Sequence, residues 1–162
     1  MRTKHVEGMA SSVNLVYRHR VRYHEADPQG FLFNSRYLEL ADVAMTEYFR
    51  CLGFPYKEFV AAGNDPSVVS AKLQFAAPAR FEDELSISAS CEQVGRSSFA
   101  LAMDVWRDGT RLAQISVTYV NVDAATATSR PLPDAVASAL RRDSTRTSDT
   151  IWKSNEGPAD RC

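Results

Sequence analysis

Tyr23-His24-Glu25-Ala26-Asp27-Pro28-Gln29-Gly30-Phe31-Leu32-Phe33-Asn34-Ser35-Arg36-Tyr37, running on to Arg50, is the stretch that decides how this chain folds. It reads as a strand end, a tight loop carrying an acid, and the start of a long amphipathic helix. Pro28 presets φ, and Gly30 permits φ > 0 or a close backbone approach, so Asp27 falls on a sharply bent segment. Asn34 or Ser35 can cap the helix that follows. The unpaired N–H groups of a helix start, with the macrodipole, favour negative charge. An acid beside such a start is a candidate catalytic pair. Asp-Pro-x-Gly is also a common turn, in which the carboxylate only satisfies backbone donors.

Upstream, Val16, Arg18, Arg20 and Arg22 alternate with Leu15, Tyr17, His19, Val21 and Tyr23, which predicts a half-buried strand over Leu15–Tyr23. Downstream, a helix is expected from about Ser35 to Leu52. Its apolar positions are Tyr37, Leu38, Ala41, Ala44, Met45, Tyr48, Phe49 and Leu52, with a polar stripe of Glu39, Asp42, Thr46 and Arg50. Leu40 and Val43 widen the apolar face, as a helix wrapped by a curved sheet requires. Gly53 suits the C′ position and Pro55 blocks continuation.

Residues 54–66 predict a short helical turn around Tyr56, Phe59 and Val60. Strand patterns follow at Val68–Ala76, Glu84–Val94, Ser98–Arg107 and Arg111–Val122. Asp108-Gly109 is a hairpin turn signal, and Gly95-Arg96-Ser97 separates the preceding pair, so a meander is expected. Pro78 fits a bend or an edge. A last short helix is expected at about Pro133–Arg142. The layout is α+β: one early helix, then a run of antiparallel strands. Residues 1–12 read as a flexible leader, with Met9 an alternative start, 13–142 as one domain, and 143–162 as a disordered tail in which Ile151-Trp152 could dock.

The chain has 162 residues, 44% of them apolar, and 19 Lys plus Arg against 20 Asp plus Glu. That balance offers no basic surface for nucleic acid or an anionic membrane. No apolar run approaches membrane-spanning length and the N-terminus has no signal-like apolar region, so a cytoplasmic location is expected. Cys51, Cys91 and Cys162 form neither a disulfide framework nor a metal spacing, and Cys51 and Cys91 read as small packing residues. His5, His19 and His24 are scattered, so no metal is expected.

The pattern Tyr23-x-x-x-Asp27-x-x-Gly30-x-x-Phe33-Asn34-x-x-Tyr37, with Glu47-Tyr48-Phe49-Arg50 at the helix end, resembles the 4-hydroxybenzoyl-CoA thioesterase family of hotdog-fold proteins. It is most similar to the branch that includes the YbgC-like acyl-CoA thioesterases. The likeness extends through Pro78-Ala79-Arg80-Phe81-Glu82-Asp83-Glu84-Leu85 to about Asp123. The resemblance implies an antiparallel sheet wrapped around a central helix, a homodimer or homotetramer, and sites between subunits. It implies hydrolysis of an acyl or aroyl thioester of coenzyme A or acyl carrier protein, with no cofactor beyond the substrate's own coenzyme A or phosphopantetheine carrier.

By the same resemblance, Asp27 is the nucleophile or general base, the Asn34 backbone N–H the oxyanion donor, and Gly30 the residue that lets the loop approach closely. Tyr23 orients the acid or its water, or is an ordinary strand aromatic. Phe33 and Tyr37 contact substrate, and Arg96, Ser97 and Ser98 form the hairpin that meets the carrier's phosphates. Asn34 departs from the histidine often found there in that branch, and Ser97 replaces a lysine of the hydroxybenzoyl enzyme's basic loop. Two other readings remain: a non-catalytic acyl-thioester-binding module, which would need no acid, and a hotdog hydratase or dehydratase, which would favour a catalytic histidine.

Overall fold

The computed structural model describes residues 14–148 and 159–160. The expected leader, Met9, Ile151-Trp152 and Cys162 lie outside the described residues. Strand β1 (Asn14–Arg20) leads through a 3-10 turn (Tyr23–Glu25) to helix α1 (Arg36–Cys51) and the short helix α2 (Tyr56–Ala61). Strands β2 (Asn64–Phe75), β3 (Glu84–Val94), β4 (Ser98–Arg107) and β5 (Thr110–Asp123) follow, then helix α3 (Asp134–Ser148) and the two-residue β6 (Ala159–Asp160). One sheet has the order β2-β5-β4-β3-β1-β6. Every pairing is antiparallel except the short β1–β6 contact.

The sheet covers one side of α1. Tyr37, Leu40, Ala41, Ala44, Met45, Tyr48 and Phe49 are its buried residues, packed in one core with Ile87, Leu101, Met103, Ile115 and Tyr119 of the strands. Each of the four long antiparallel pairings contains a register shift, and such bulges bend a sheet, here over the helix. This is the sheet-around-helix arrangement of the hotdog fold. Leu38 and Val43 are left 40% and 38% exposed, so Leu40 widens the buried face of α1 and Val43 does not. The helix ends as expected: Gly53 takes φ +88°, its N–H donates to Arg50 O, and Phe54 N–H donates to Phe49 O, the two bonds of a Schellman cap.

Several boundaries differ from the sequence expectation for identifiable reasons. β1 stops at Arg20, because Glu25 folds the next segment back: its N–H donates to Arg22 O, and its carboxylate accepts the Arg22 N–H at 2.7 Å. Side-chain acceptors compete with a strand ladder in this way. β2 begins at Asn64 rather than Val68, since Asn121 Nδ2 donates to Asn64 Oδ1 and Asn121 Oδ1 accepts the Asp65 N–H. Pro66 is accommodated because β2 is an edge strand. β3 and β4 have the expected bounds, and Asp108 and Gly109 take φ +49° and +77°, as a type I′ hairpin requires.

The cysteine expectations divide. Cys91 is buried and free, and burial with the nearby Asp143 carboxylate pushes its thiol up to about 12. Cys51 is exposed, which corrects its expected packing role.

Helix α3 runs past Arg142 to Ser148, beyond the expected start of the tail. Asp143 explains why. Its carboxylate, on a residue only 8% exposed, accepts the Tyr48 hydroxyl at 2.7 Å and the Cys91 N–H at 3.0 Å, tying α3 to α1 and β3. Burial, then the adjacent carboxylate, keeps the Tyr48 phenol protonated far above its ordinary range. Asp143→Ala is expected to lower unfolding free energy by roughly 1.5–3 kcal/mol in urea titration, the range for hydrogen bonds to a charged group. Tyr48→Phe should cost less, because the carboxylate keeps the Cys91 N–H.

Candidate active site

The acid loop is a miniature hairpin. Ala26 bridges to Leu32, Asp27 N–H donates to Phe31 O at 2.8 Å, and Gly30 N–H donates to Asp27 O at 2.9 Å. Asp27 Oδ1 accepts the N–H groups of Gln29 at 2.8 Å and Phe31 at 3.1 Å. The carboxylate therefore holds its own loop, as an Asx turn does. Only one oxygen is used: among the described residues nothing donates to Asp27 Oδ2. Gly30 takes φ +78°, and a Cβ placed there would meet nothing within 4 Å. The backbone conformation requires this glycine. Within one chain the expected close approach does not.

The start of α1 is not side-chain capped, correcting the expectation for Asn34 or Ser35. Ser35 is itself in the αR region with no cap bond. The chain enters the helix through tight i→i+3 bonds instead: Arg36 N–H to Phe33 O at 2.9 Å, Tyr37 N–H to Asn34 O at 3.4 Å, and Leu38 N–H to Ser35 O at 3.2 Å. Among the described residues the Asn34 and Ser35 N–H groups have no acceptor. They form the unsatisfied positive end of the helix.

Asp27 and Asn34 line one cavity of about 590 Å³ with Phe31, Phe33, Tyr37 and Phe75. Phe33 and Phe75 are 47% and 53% exposed, so the apolar wall is open. Tyr37 is buried edge-on against Phe75, with ring centroids 5.0 Å apart, and burial raises its phenol pKa. The cavity therefore combines an acid, free backbone donors and an aromatic wall. Among the described residues no cluster of His, Cys, Asp or Glu could hold a metal ion.

Four expected participants lie elsewhere within the chain. Tyr23 belongs to the 3-10 turn rather than the strand and is 85% exposed, its ring edge-on to Phe81 at 6.1 Å. Among the described residues it makes no hydrogen bond to Asp27. Arg96, Ser97 and Ser98 sit at the β3–β4 hairpin, where Leu132 N–H donates to Arg96 O and Asn121 N–H to Ser97 O. The acid-loop cavity lies at the other end of β4, where Arg107 donates to Pro78 O. Ser98 and Arg107 are separated by roughly 30 Å at about 3.3 Å per strand residue. Glu25, given no role from sequence, is buried below the loop; its partner His19 lay in view as the only histidine within the strand pattern.

Residues 29–114 match the family described as Thioesterase superfamily. The chain belongs to that superfamily. The match begins just after Asp27 and contains Gly30, Phe33, Asn34, Tyr37 and Arg96–Ser98. A gentisyl-coenzyme A thioesterase structure is 28% identical, covers 78% of this chain and 99% of its own, and superposes with a TM-score of 0.72. A Thermus thermophilus protein titled as hypothetical, TT1821, is 26% identical over 80% of this chain and 98% of its own, with a TM-score of 0.75. A protein of Aquifex aeolicus (strain VF5) named as a candidate esterase is 25% identical over 107 residues, 66% of this chain and 84% of that one.

Within this superfamily chain, the Gly30 conformation sets the loop that presents Asp27. Gly30→Ala is expected to destabilise the fold by about 1–2 kcal/mol, the cost of the left-handed region for a residue with a Cβ. Gly30→Asn should cost less, because asparagine visits that region more readily. Urea titration of both variants checks the order.

Proposed function

We propose that the protein hydrolyses an acyl or aroyl thioester of coenzyme A or acyl carrier protein. The observation that carries this reading is that Asp27, with one carboxylate oxygen uncommitted, lines the same cavity as the unpaired Asn34 N–H. A thioester carbonyl oxygen directed at that N–H and the helix end would gain stabilisation as it becomes an oxyanion. Such donors contribute about 2.7–4 kcal/mol each where one has been removed.

Asp27 then works in one of two ways. As general base it takes a proton from water while the water oxygen bonds to the carbonyl carbon. The tetrahedral intermediate collapses, the C–S bond breaks, and the thiolate leaves and is protonated. As nucleophile its carboxylate oxygen bonds to the carbonyl carbon and expels the thiolate. Water then hydrolyses the resulting anhydride and regenerates the carboxylate.

The aromatic wall of Phe31, Phe33, Tyr37 and Phe75 supports an apolar or aromatic acyl group, and the likeness to a gentisyl-coenzyme A thioesterase supports an aroyl one. Arg96 is the proposed phosphate contact for the carrier. Its place at the far end of the sheet means that it would serve the cavity of a second copy of the chain. Edge strand β2 leaves Val68 and Val69 53% and 60% exposed, which supports a homodimer joined along that edge.

Thiol release should be assayed over short-chain, long-chain and aromatic acyl thioesters on both carriers. On a substrate that turns over, Asp27→Asn is expected to lower kcat by roughly two orders of magnitude or more. Asparagine Oδ1 can still accept the Gln29 and Phe31 N–H groups, so melting temperature should change little. Full turnover by the folded variant would sink the acid-loop mechanism and leave the reacting group elsewhere, whereas no turnover by the wild type on any of these thioesters would return the binding-module reading to first place. Arg96→Ala is expected to raise KM for a coenzyme A thioester more than it lowers kcat, since phosphate contacts far from the carbonyl bind ground and transition states alike. The effect should shrink on the matching pantetheine thioester, which lacks the nucleotide phosphates.

A further inference from the structure

Beneath the acid loop lies a polar network that the proposed chemistry does not use. His19, on β1, and Glu25, in the 3-10 turn, meet at 2.8 Å between Nε2 and Oε2, with side chains only 8% and 11% exposed. The Tyr17 hydroxyl lies 3.3 Å from His19 Nδ1. If the hydroxyl donates to Nδ1, the Nε2–H donates to the carboxylate and a neutral imidazole satisfies both contacts. Burial pushes the Glu25 carboxyl pKa up, but the Arg22 N–H and the His19 ring outweigh it and hold the group below its ordinary value.

Glu25 is tied to the site at both ends. Its carboxylate accepts the Arg22 N–H at 2.7 Å and so shapes the turn into the loop. Its backbone carbonyl accepts the Phe33 N–H at 2.9 Å, at the residue just before Asn34. Asp27 follows two residues after Glu25. One residue thus holds the segment before the acid with its side chain and the segment before the oxyanion donor with its carbonyl. A buried carboxylate held by a hydrogen-bond partner is a weak source of net stability, since its desolvation offsets much of what the partner returns. What this pair supplies is geometry: it defines where the acid loop leaves β1 relative to the start of α1.

We propose that the buried His19–Glu25 pair positions the acid loop, setting the Asp27 carboxylate against the Asn34 N–H. His19 and Glu25 are positioning residues that act through Asp27 and do not touch substrate. The inference rests on the reading of Asp27 as the reacting acid. Misplacement by about 1 Å can cost on the order of 100-fold in rate, so a small shift of the turn suffices to be seen.

The test uses the full chain and the thioester on which the wild type turns over. Glu25→Gln keeps the shape but weakens both contacts, because the Arg22 N–H and the His19 ring share one carboxylate oxygen and a neutral amide oxygen is the weaker acceptor. It should lower kcat by roughly tenfold or more, with KM within about twofold, the pattern of an interaction that matters in the transition state. His19→Phe should lower kcat in the same way, and His19→Gln, whose amide can replace the Nε2–H donor, should restore most of it. In the double variant, Glu25→Gln should cost nothing beyond Asp27→Asn alone, because a positioning residue has nothing left to position.

Unchanged kcat per folded molecule in Glu25→Gln with a lowered melting temperature would overturn the proposal, as would additive losses in the double variant. If Glu25→Gln does not fold, normal kcat in folded His19→Phe overturns it equally. Full turnover by Asp27→Asn would sink the acid-loop reading itself. A dead Asp27→Asn beside a normal Glu25→Gln would sink this inference alone.

Discussion

The burial of one face of α1 against the bent sheet is the constraint on which the site depends. Tyr48 and Phe49 are almost fully enclosed, and Phe49 packs against Phe59 and Phe99 with centroids 5.3 and 5.5 Å away. A close-packed contact of this kind does not slide. It therefore fixes where α1 begins, and the beginning of α1 is where the unpaired N–H groups lie. The Schellman cap at Gly53 and the Asp143 link from α3 lock the far end of the same helix. Stability at one end of α1 thus sets geometry at the other.

Asp27 illustrates how one side chain can hold a turn and still leave an atom available for the proposed chemistry. Oδ1 carries the turn by accepting two backbone N–H groups, while Oδ2 has no donor among the described residues. The turn role and the proposed catalytic role are compatible, because they would use different oxygens. The uncapped helix start follows the same economy. A side-chain cap on Asn34 or Ser35 would satisfy the donors that the proposed oxyanion site needs.

The site residues are distributed over the length of the molecule. Asp27, Asn34, Phe33 and Tyr37 converge at one end, whereas Arg96 occupies the opposite end of the β3–β4 hairpin. One chain therefore assembles the groups proposed to react without assembling the contact proposed for the carrier. On the proposed dimer reading, the exposed apolar residues of β2 and the outward Leu38 and Val43 of α1 are the surfaces a second copy would cover.

Local signals were sufficient for much of this protein. Strict alternation and the flanking turn residues bounded β3 and β4 correctly, Asp108-Gly109 announced its I′ turn, and the apolar spacing with Gly53 bounded α1. The residues of the acid loop were legible too, as was the superfamily, because loop chemistry and helix starts are written in neighbouring positions. Interactions between distant residues were not legible. β1 ended early because Glu25 turned back on Arg22 and met His19, α3 continued because Asp143 reached Tyr48, and β2 began early because Asn64 met Asn121. Each depends on a buried polar group finding its partner, which sequence periodicity does not encode. The separation of Arg96 from Asp27 was likewise decided by strand order: both motifs are visible in the sequence, but only the sheet places them at opposite ends.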